Sequence, residues 1–334
     1  MQGAIQKLTE GRALTTRLTV DADADQIIAF DQETDSGETI ERADAKKLAG
    51  LKISVAVSAD KPLKDVETLK SLGSTADLEA LQADKGIDFA VSLNGGDGRK
   101  ALELRQVAGT AYAQVDLDVV GDLVGDSATF EQLHEMSGQL PPELAVLKAA
   151  LDGKWVSIDN KAVRKLTDTV KEQGGADILP SAEPSLNAAT GNKLLSAISG
   201  VFSRNVTFDD KGQQDGADLI VVSAPARTMA DDLLKALRPV AKDIPGLAGK
   251  LPSSAPSDTP DRTLSADLRI KDGALASITV DLAQFEEKQG SAHLPITLSF
   301  DRSADAVQAP EGAVPVTPEA IDAIVSMAAE GDEE

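Results

Sequence analysis

Along much of this chain apolar residues stand at every second position, so that successive segments carry one oily face and one polar face. The clearest run is "GIDFAVSLNGGDGRKALELRQVAGTAYAQVDLDVV", residues 86–120. Ile87, Phe89, Val91 and Leu93 alternate, "NGGDG" turns the chain, Leu102 and Leu104 alternate, "AG" turns it again, and Ala111, Ala113, Val115 and Leu117 continue the pattern. A period of two interrupted by Gly-containing turns predicts a three-strand antiparallel meander with one apolar face. Similar alternation runs through Leu14, Leu18 and Val20, through Leu51, Ile53, Val55 and Val57, and through Leu294, Ile296, Leu298 and Phe300. The segment "RIKDGALASITVDLAQF", residues 269–285, predicts a hairpin, with Ile270 before the Asp272–Gly273 turn and Ile278, Val280 and Leu282 after it. "GKWVSID", "RNVTFDD" and "ADLIVVSAP" read as further strands.

Helical spacing appears between these groups. Residues 2–10 predict a short helix ended by Gly11, and residues 62–82 predict two short helices separated at Gly73. Residues 127–151 are helical around a Pro141–Pro142 break, and another helix lies near 192–201. From about residue 227, Met229, Leu233, Leu237 and Val240 share one helical face, and Thr228 with Asp231 fits a capping box. Strands in groups with helices between them predict an α+β fold of about ten to twelve antiparallel strands.

The pattern falls into two loosely similar halves. Residues 1–173 form the first sheet and helix half, and residues 174–191, "GGADILPSAEPSLNAATG", read as a linker rich in Gly, Pro, Ser and Ala. Residues 192–328 form the second half, and 329–334 an acidic tail. Two lobes and one continuous sheet completed by the second half are both compatible with this pattern, as is a structural duplication.

Composition changes the picture in three ways. Aromatic residues make up only 3% of the 334, with Trp155 and Tyr112 the sole Trp and Tyr, so the interior is expected to be aliphatic. With 33 basic and 55 acidic residues the formal charge is −22, a surface that repels phosphate backbones and disfavours nucleic acid or a basic grip on anionic lipid. The chain has no cysteine, which excludes disulfides, thiolate metal sites and a cysteine nucleophile. No segment reaches the roughly 18–20 apolar residues that span a bilayer, and "MQGAIQKLTEG" carries no signal-peptide core.

A search for chemistry finds little. "HEMSG" at 134–138 lacks the second histidine that a zinc-protease helix needs one turn later. His293 reads as an ordinary strand-end histidine. "SADK", Ser58 to Lys61, matches Ser-x-x-Lys, but its companion motifs are missing and Ser58 ends a strand where the motif needs a helix start. "GLAGKL" is too short for a phosphate-cradling loop. "DADAD", residues 21–25, lacks the glycine and glutamate of a calcium loop, and "DDKGQQDG", residues 209–216, reads as a polar hairpin turn; both read as solvated loops. No nucleophile, base and orienting group assemble, so the expectation is a protein that is not an enzyme and uses no cofactor or metal.

The segments "LRQVAGTAYAQVDLDVV", "GKWVSID", "APARTMADDLLKALRPVAKD", "LSADLRIKDGALASITVDLAQF" and "LPITLSF" together resemble exported lipoproteins of actinobacteria, whose sheets resemble the half-barrel of the LolA carrier and of the LppX and LprG lipid-binding lipoproteins. The likeness covers residues 85–310 and rests on strand and turn rhythm. It implies a large curved antiparallel β-sheet wrapped around amphipathic helices, enclosing an apolar cavity for lipid or acyl chains. It also implies an extracytoplasmic place in the cell envelope, on the outer face of the cytoplasmic membrane, and a signal peptide and lipid-modified cysteine that this chain lacks.

The resulting expectation is a lipoprotein domain that binds a lipid or other long apolar molecule between sheet and helices. Val55, Val57, Phe89, Val91, Leu104 and Val115 are the candidate lining of the first half. Leu268, Ile270, Ile278, Val280, Ile296 and Leu298 are that of the second, with Met229, Leu233 and Leu237 as a helical lid. The competing expectation is a cell-surface structural or interaction module of the same fold with a closed interior, using its acidic face or strand edges for an envelope protein partner.

Overall fold

The computed structural model describes residues 2–34, 39–67, 86–138, 140–159, 162, 200–201, 203–241, 252–257, 259–286 and 290–323. The predicted linker at 174–191, most of the helices predicted at 62–82 and 192–201, and the acidic tail lie outside them.

The alternating segments form strands as expected. They are β1 Ala13–Val20, β2 Lys52–Ala59, β3 Ile87–Asn94, β4 Lys100–Val107, β5 Thr110–Val115, β6 Val156–Ile158, β7 Thr207–Gln214, β8 Ala217–Pro225, β9 Thr263–Lys271, β10 Ala274–Asp281, β11 Pro295–Asp301 and β12 Val314–Pro315. All belong to a single 12-stranded sheet in the order β12-β6-β5-β4-β3-β2-β1-β11-β10-β9-β8-β7. Every pairing is antiparallel except that of β12 with β6. Each half of the sequence is a meander, and the two join where β1 lies beside β11, with Leu18 opposite Leu298 and Val20 opposite Ile296. The continuous-sheet reading is therefore the one observed.

Three hairpins turn through residue pairs with positive φ at both positions: Ala108–Gly109, Asp215–Gly216 and Asp272–Gly273. This backbone suits the right-handed twist of the strands it joins, and an X-Gly pair adopts it at least strain.

The helices are α1 Gln2–Gln6, α2 Ala24–Thr34, α3 Arg42–Leu48, α4 Leu117–Val124, α5 Ser127–Ser137, α6 Ala145–Leu151 and α7 Ala226–Ala241. Three sequence expectations are corrected. "DADAD" is not a free loop: Asp23 Oδ1 accepts from Gln26 N at 2.9 Å while Gln26 Oε1 accepts from Asp23 N at 2.9 Å, a reciprocal cap that starts α2. "VDLDVV" does not extend β5: Asp116 Oδ1 accepts from Val119 N at 3.1 Å and starts α4, which Gly125 ends in the left-handed conformation. The Thr228–Asp231 capping box is also not formed, because α7 continues directly from β8 and Asp231 instead accepts from Ala255 N at 2.7 Å.

The polar face of the sheet carries a strap. Residues 302–313 leave β11 at the sheet centre and reach β12 at the far edge. On the way Val307 N donates to Ser58 Oγ at 2.9 Å and Arg105 donates to Gln308 O at 2.8 Å. Arg105 also lies 4.8 Å from the Trp155 ring centre and pairs with Glu103 at 2.9 Å. Ser58, the one nucleophile candidate of "SADK", is thus a buried acceptor for the strap.

Candidate functional site

The register places the predicted sheet residues on one face. Across the first half Val57 stands opposite Phe89, and Val55 opposite Val91, which is opposite Leu104. Val115 faces Leu102 on the next strand pair. Across the second half Leu298, Ile278 and Leu268 form one row, and Ile296 with Val280 another. Leu18 on β1 links the halves, being opposite Ile53 on one side and Leu298 on the other. An antiparallel sheet with this alternation must have its apolar face covered by something, because side chains on one face of a strand all point the same way.

The cover is uneven. At the β8–β11 end, Leu8, from the turn that follows α1, packs with the buried Leu268 and Leu275, and Leu14, Ile220, Val222, Ile278 and Phe300 close around them. Leu268 and Ile278 therefore sit in a filled core, while Ile270, Val280, Ile296 and Leu298 are half-buried. In the β1–β4 region, Leu18, Ile53, Val55 and Leu104 keep 40–42% of their surface exposed. They lie in two adjacent cross-strand rows, with Val57, Phe89, Val91 and Val115 half-buried beside them. Bringing four such aliphatic side chains out of water is worth on the order of 1 kcal/mol each. Leu18 and Ile53 were visible in the alternating pattern but not singled out, because alternation marks a face without showing which strands stay uncovered.

The predicted lid residues Met229, Leu233 and Leu237 are half-buried on α7, which follows β8 directly. The outer side of α7 is tied to the loop before β9 through Arg227 to Ser257 O at 3.3 Å and Arg238 to Pro252 O at 3.0 Å.

Polar chemistry lies outside this face. His134 Nδ1 is 3.3 Å from Leu151 O on an exposed helix. His293 contacts Asp281 with its ring 70% exposed. Burial pushes the Asp281 carboxyl up, but hydrogen bonds from His293 and from the Leu294 and Ala283 amides outweigh it and hold the group below the usual range. The Ser291 hydroxyl donates to Glu33 at 3.0 Å, not to the neighbouring histidine. The Ala292 and Ser291 amides hold Glu33 below the usual carboxylate range as well.

Two described cavities remain. One, of about 390 Å³, lies between α3, the β3–β4 turn and the α4–α5 bend; the other, of about 340 Å³, lies under the strap beside Glu103 and Arg105. Neither contains a histidine or any of the predicted apolar residues. Among the described residues no helix is long and apolar enough to cross a membrane. Comparison of the chain with protein-family models, with characterised proteins and with solved structures finds no match in any of the three.

Proposed function

We propose that the protein is a non-enzymatic binding domain for a lipid or other long apolar molecule, which lies along the β1–β4 part of the apolar sheet face. The observation that carries this reading is the contiguous exposure of Leu18, Ile53, Val55 and Leu104 in the middle of a large sheet, where a filled core would seal them. Acyl chains suit such a surface, since they need burial area rather than hydrogen bonds, at roughly 0.8 kcal/mol per buried CH2. The reading includes a LolA-like half-barrel and an envelope lipoprotein anchored through a lipid-modified N-terminus, both resting on the resemblance in strand and turn rhythm. Mass spectrometry of an organic extract of the natively purified protein tests it. A stoichiometric lipid that disappears in a still-folded Val55→Glu, Leu104→Glu variant is expected; an empty protein that also takes up nothing from a lipid extract of its own organism would count against the proposal.

A second reading, a protein-interaction module, draws on the sheet edge. Every residue of β7 is exposed, and an uncovered edge strand offers unpaired backbone groups to a partner strand. Its two adjacent acidic residues, Asp209 and Asp210, favour a basic partner strand. This reading gains if the sheet face binds no apolar probe.

A further inference from the structure

The cavity of about 390 Å³ at the end of the sheet stands apart from the apolar face in its chemistry. Lys46 and Lys47 from α3 and Arg99 from the β3–β4 turn all border it, a local concentration of cations on a chain whose formal charge is −22. Two carboxylates border it too, Asp97 and Asp122, but both are committed to Arg99, at 2.5 Å and 2.9 Å. These bonds occupy Nε and Nη2; Nη1 carries no hydrogen bond among the described residues, and a guanidinium has five N–H donors to give. The contacts with Asp97 and Asp122 orient the half-exposed guanidinium at the cavity's edge. Asp44 balances Lys47, so Lys46 is the one cation of the lining without a carboxylate partner among the described residues.

The lysines are placed differently. Lys47 is only 26% exposed, drawn in by Asp44 at 2.8 Å, with its ammonium 3.3 Å from the point where a Cβ on Gly125 would stand. Gly125 has φ +80°, a backbone conformation that disfavours a side chain at this wall. Lys46 is exposed and makes no ion pair among the described residues. Gly96 packs the turn against the end of α3, where a Cβ would lie 1.9 Å from the Ala49 carbonyl oxygen. Ser127 adds a hydroxyl, whose own hydrogen goes to Asp122 at 3.1 Å.

We propose that this cavity is a subsite for a phosphate or phosphate-ester group, held by the Lys46 and Lys47 ammoniums and the free side of the Arg99 guanidinium. Cations converging from two chain segments match the several oxygens of a tetrahedral oxyanion, and such charge-assisted hydrogen bonds are among the strong ones. The turn that carries Arg99 directly follows Leu93 and precedes Leu102, the row opposite Ile53, so the cavity borders the uncovered apolar strands at one end. A free phosphate ester and the headgroup of a phospholipid offer the same chemistry to it. The proposal does not depend on the apolar-ligand reading.

Calorimetric titration of the full chain in low salt tests it, with three probes: inorganic phosphate, short-chain phosphatidate, and diacylglycerol with the same short chains. Saturable phosphate binding, weakened at least about tenfold in Lys46→Gln, Lys47→Gln, is the expected result for a general phosphate subsite. Binding of phosphatidate alone, weakened similarly in that variant while diacylglycerol is unaffected, supports the subsite and names the headgroup as its source. Because Lys47 has a structural partner, the single variant Lys46→Gln, which removes only an unpaired exposed ammonium, must weaken binding in the same direction. Absence of binding by both phosphate-bearing probes, or binding of equal strength in wild type and both variants, overturns the proposal. Diacylglycerol binding reports only on the apolar face.

Discussion

Strands β8–β11 and strands β1–β4 contribute to the same apolar face of one sheet, yet they end in opposite states. Leu268 and Leu275 are exposed by 7% and 4%, sealed under Leu8, whereas Val55 and Leu104 are exposed by 40% and 42%. The residue types are the same, and so is the alternation that placed them. What differs among the described residues is the cover: the helical turn at the N-terminus packs over β9 and β10 and the Leu14 end of β1, while Leu18, Ile53, Val55 and Leu104 stay exposed. An apolar strand face therefore does not by itself distinguish core from binding surface; the covering element does.

The largest effect expected from this contrast is on stability. Leu268→Ala should lower the unfolding free energy by about 3 kcal/mol, because it leaves a cavity in a filled cluster, while Leu104→Ala should cost less than about 1 kcal/mol. Urea midpoints at equal slope measure both, and equal losses would erase the distinction between the two regions.

A second test compares the two faces of β4. Glu103 and Leu104 are sequence neighbours on opposite sides of the sheet, and the Glu103 side chain is 8% exposed on the strapped polar side. Burial pushes its carboxyl up, but Arg105 and Lys100 prevail and hold it below its ordinary value of 4.5. Since the folded state binds the proton less readily than the unfolded chain, the pairing contributes its full stability above about pH 4.5, and that contribution is lost as pH falls through the folded-state value. Glu103→Gln should cost about 2 kcal/mol at neutral pH, a discounted version of breaking a buried pair. The gap from wild type should narrow on acidification, as read from urea midpoints at pH 7 and pH 3. A gap that widens in acid would reverse the assigned sign.

The smallest effect sharpens the open region alone. Val55→Thr keeps the side-chain shape and β-branching, so stability should change by less than about 0.5 kcal/mol, the range of ordinary surface substitutions. Affinity for an apolar probe should still fall a few-fold, since a methyl becomes a hydroxyl on the contact surface. A probe that binds Val55→Thr as tightly as wild type must sit elsewhere.

Much of the sheet was legible in the sequence because strands with one apolar face repeat every two residues and X-Gly turns mark their ends. The shared face of Val91 and Leu104 followed from those two signals, whereas the place of Val55 opposite Val91 did not, because no turn signal joins their strands. The place of β1 between β2 and β11 was not legible, since that pairing joins residues some 280 positions apart and no local signal encodes it. The two-residue β12 is too short to carry a period. Helix α4 was hidden because "VDLDVV" alternates like a strand, although Asp116 and Gly125 bracket it as caps. Helix α2 was hidden because the acidic run "DADAD" suggests ion chemistry before it suggests the Asp23–Gln26 cap. For the candidate site, the face was readable and the uncovered part was not. Which strands Leu8 would seal depends on tertiary packing.

The central claim, that the β1–β4 face holds an apolar ligand, is tested most directly by titrating the protein with a fluorescent fatty acid, beside Val55→Glu, Leu104→Glu and with unfolding temperatures measured in parallel. The account predicts saturable binding to wild type and its loss in the variant at a closely similar unfolding temperature. Saturable binding of equal affinity in both, or none in wild type, would contradict it.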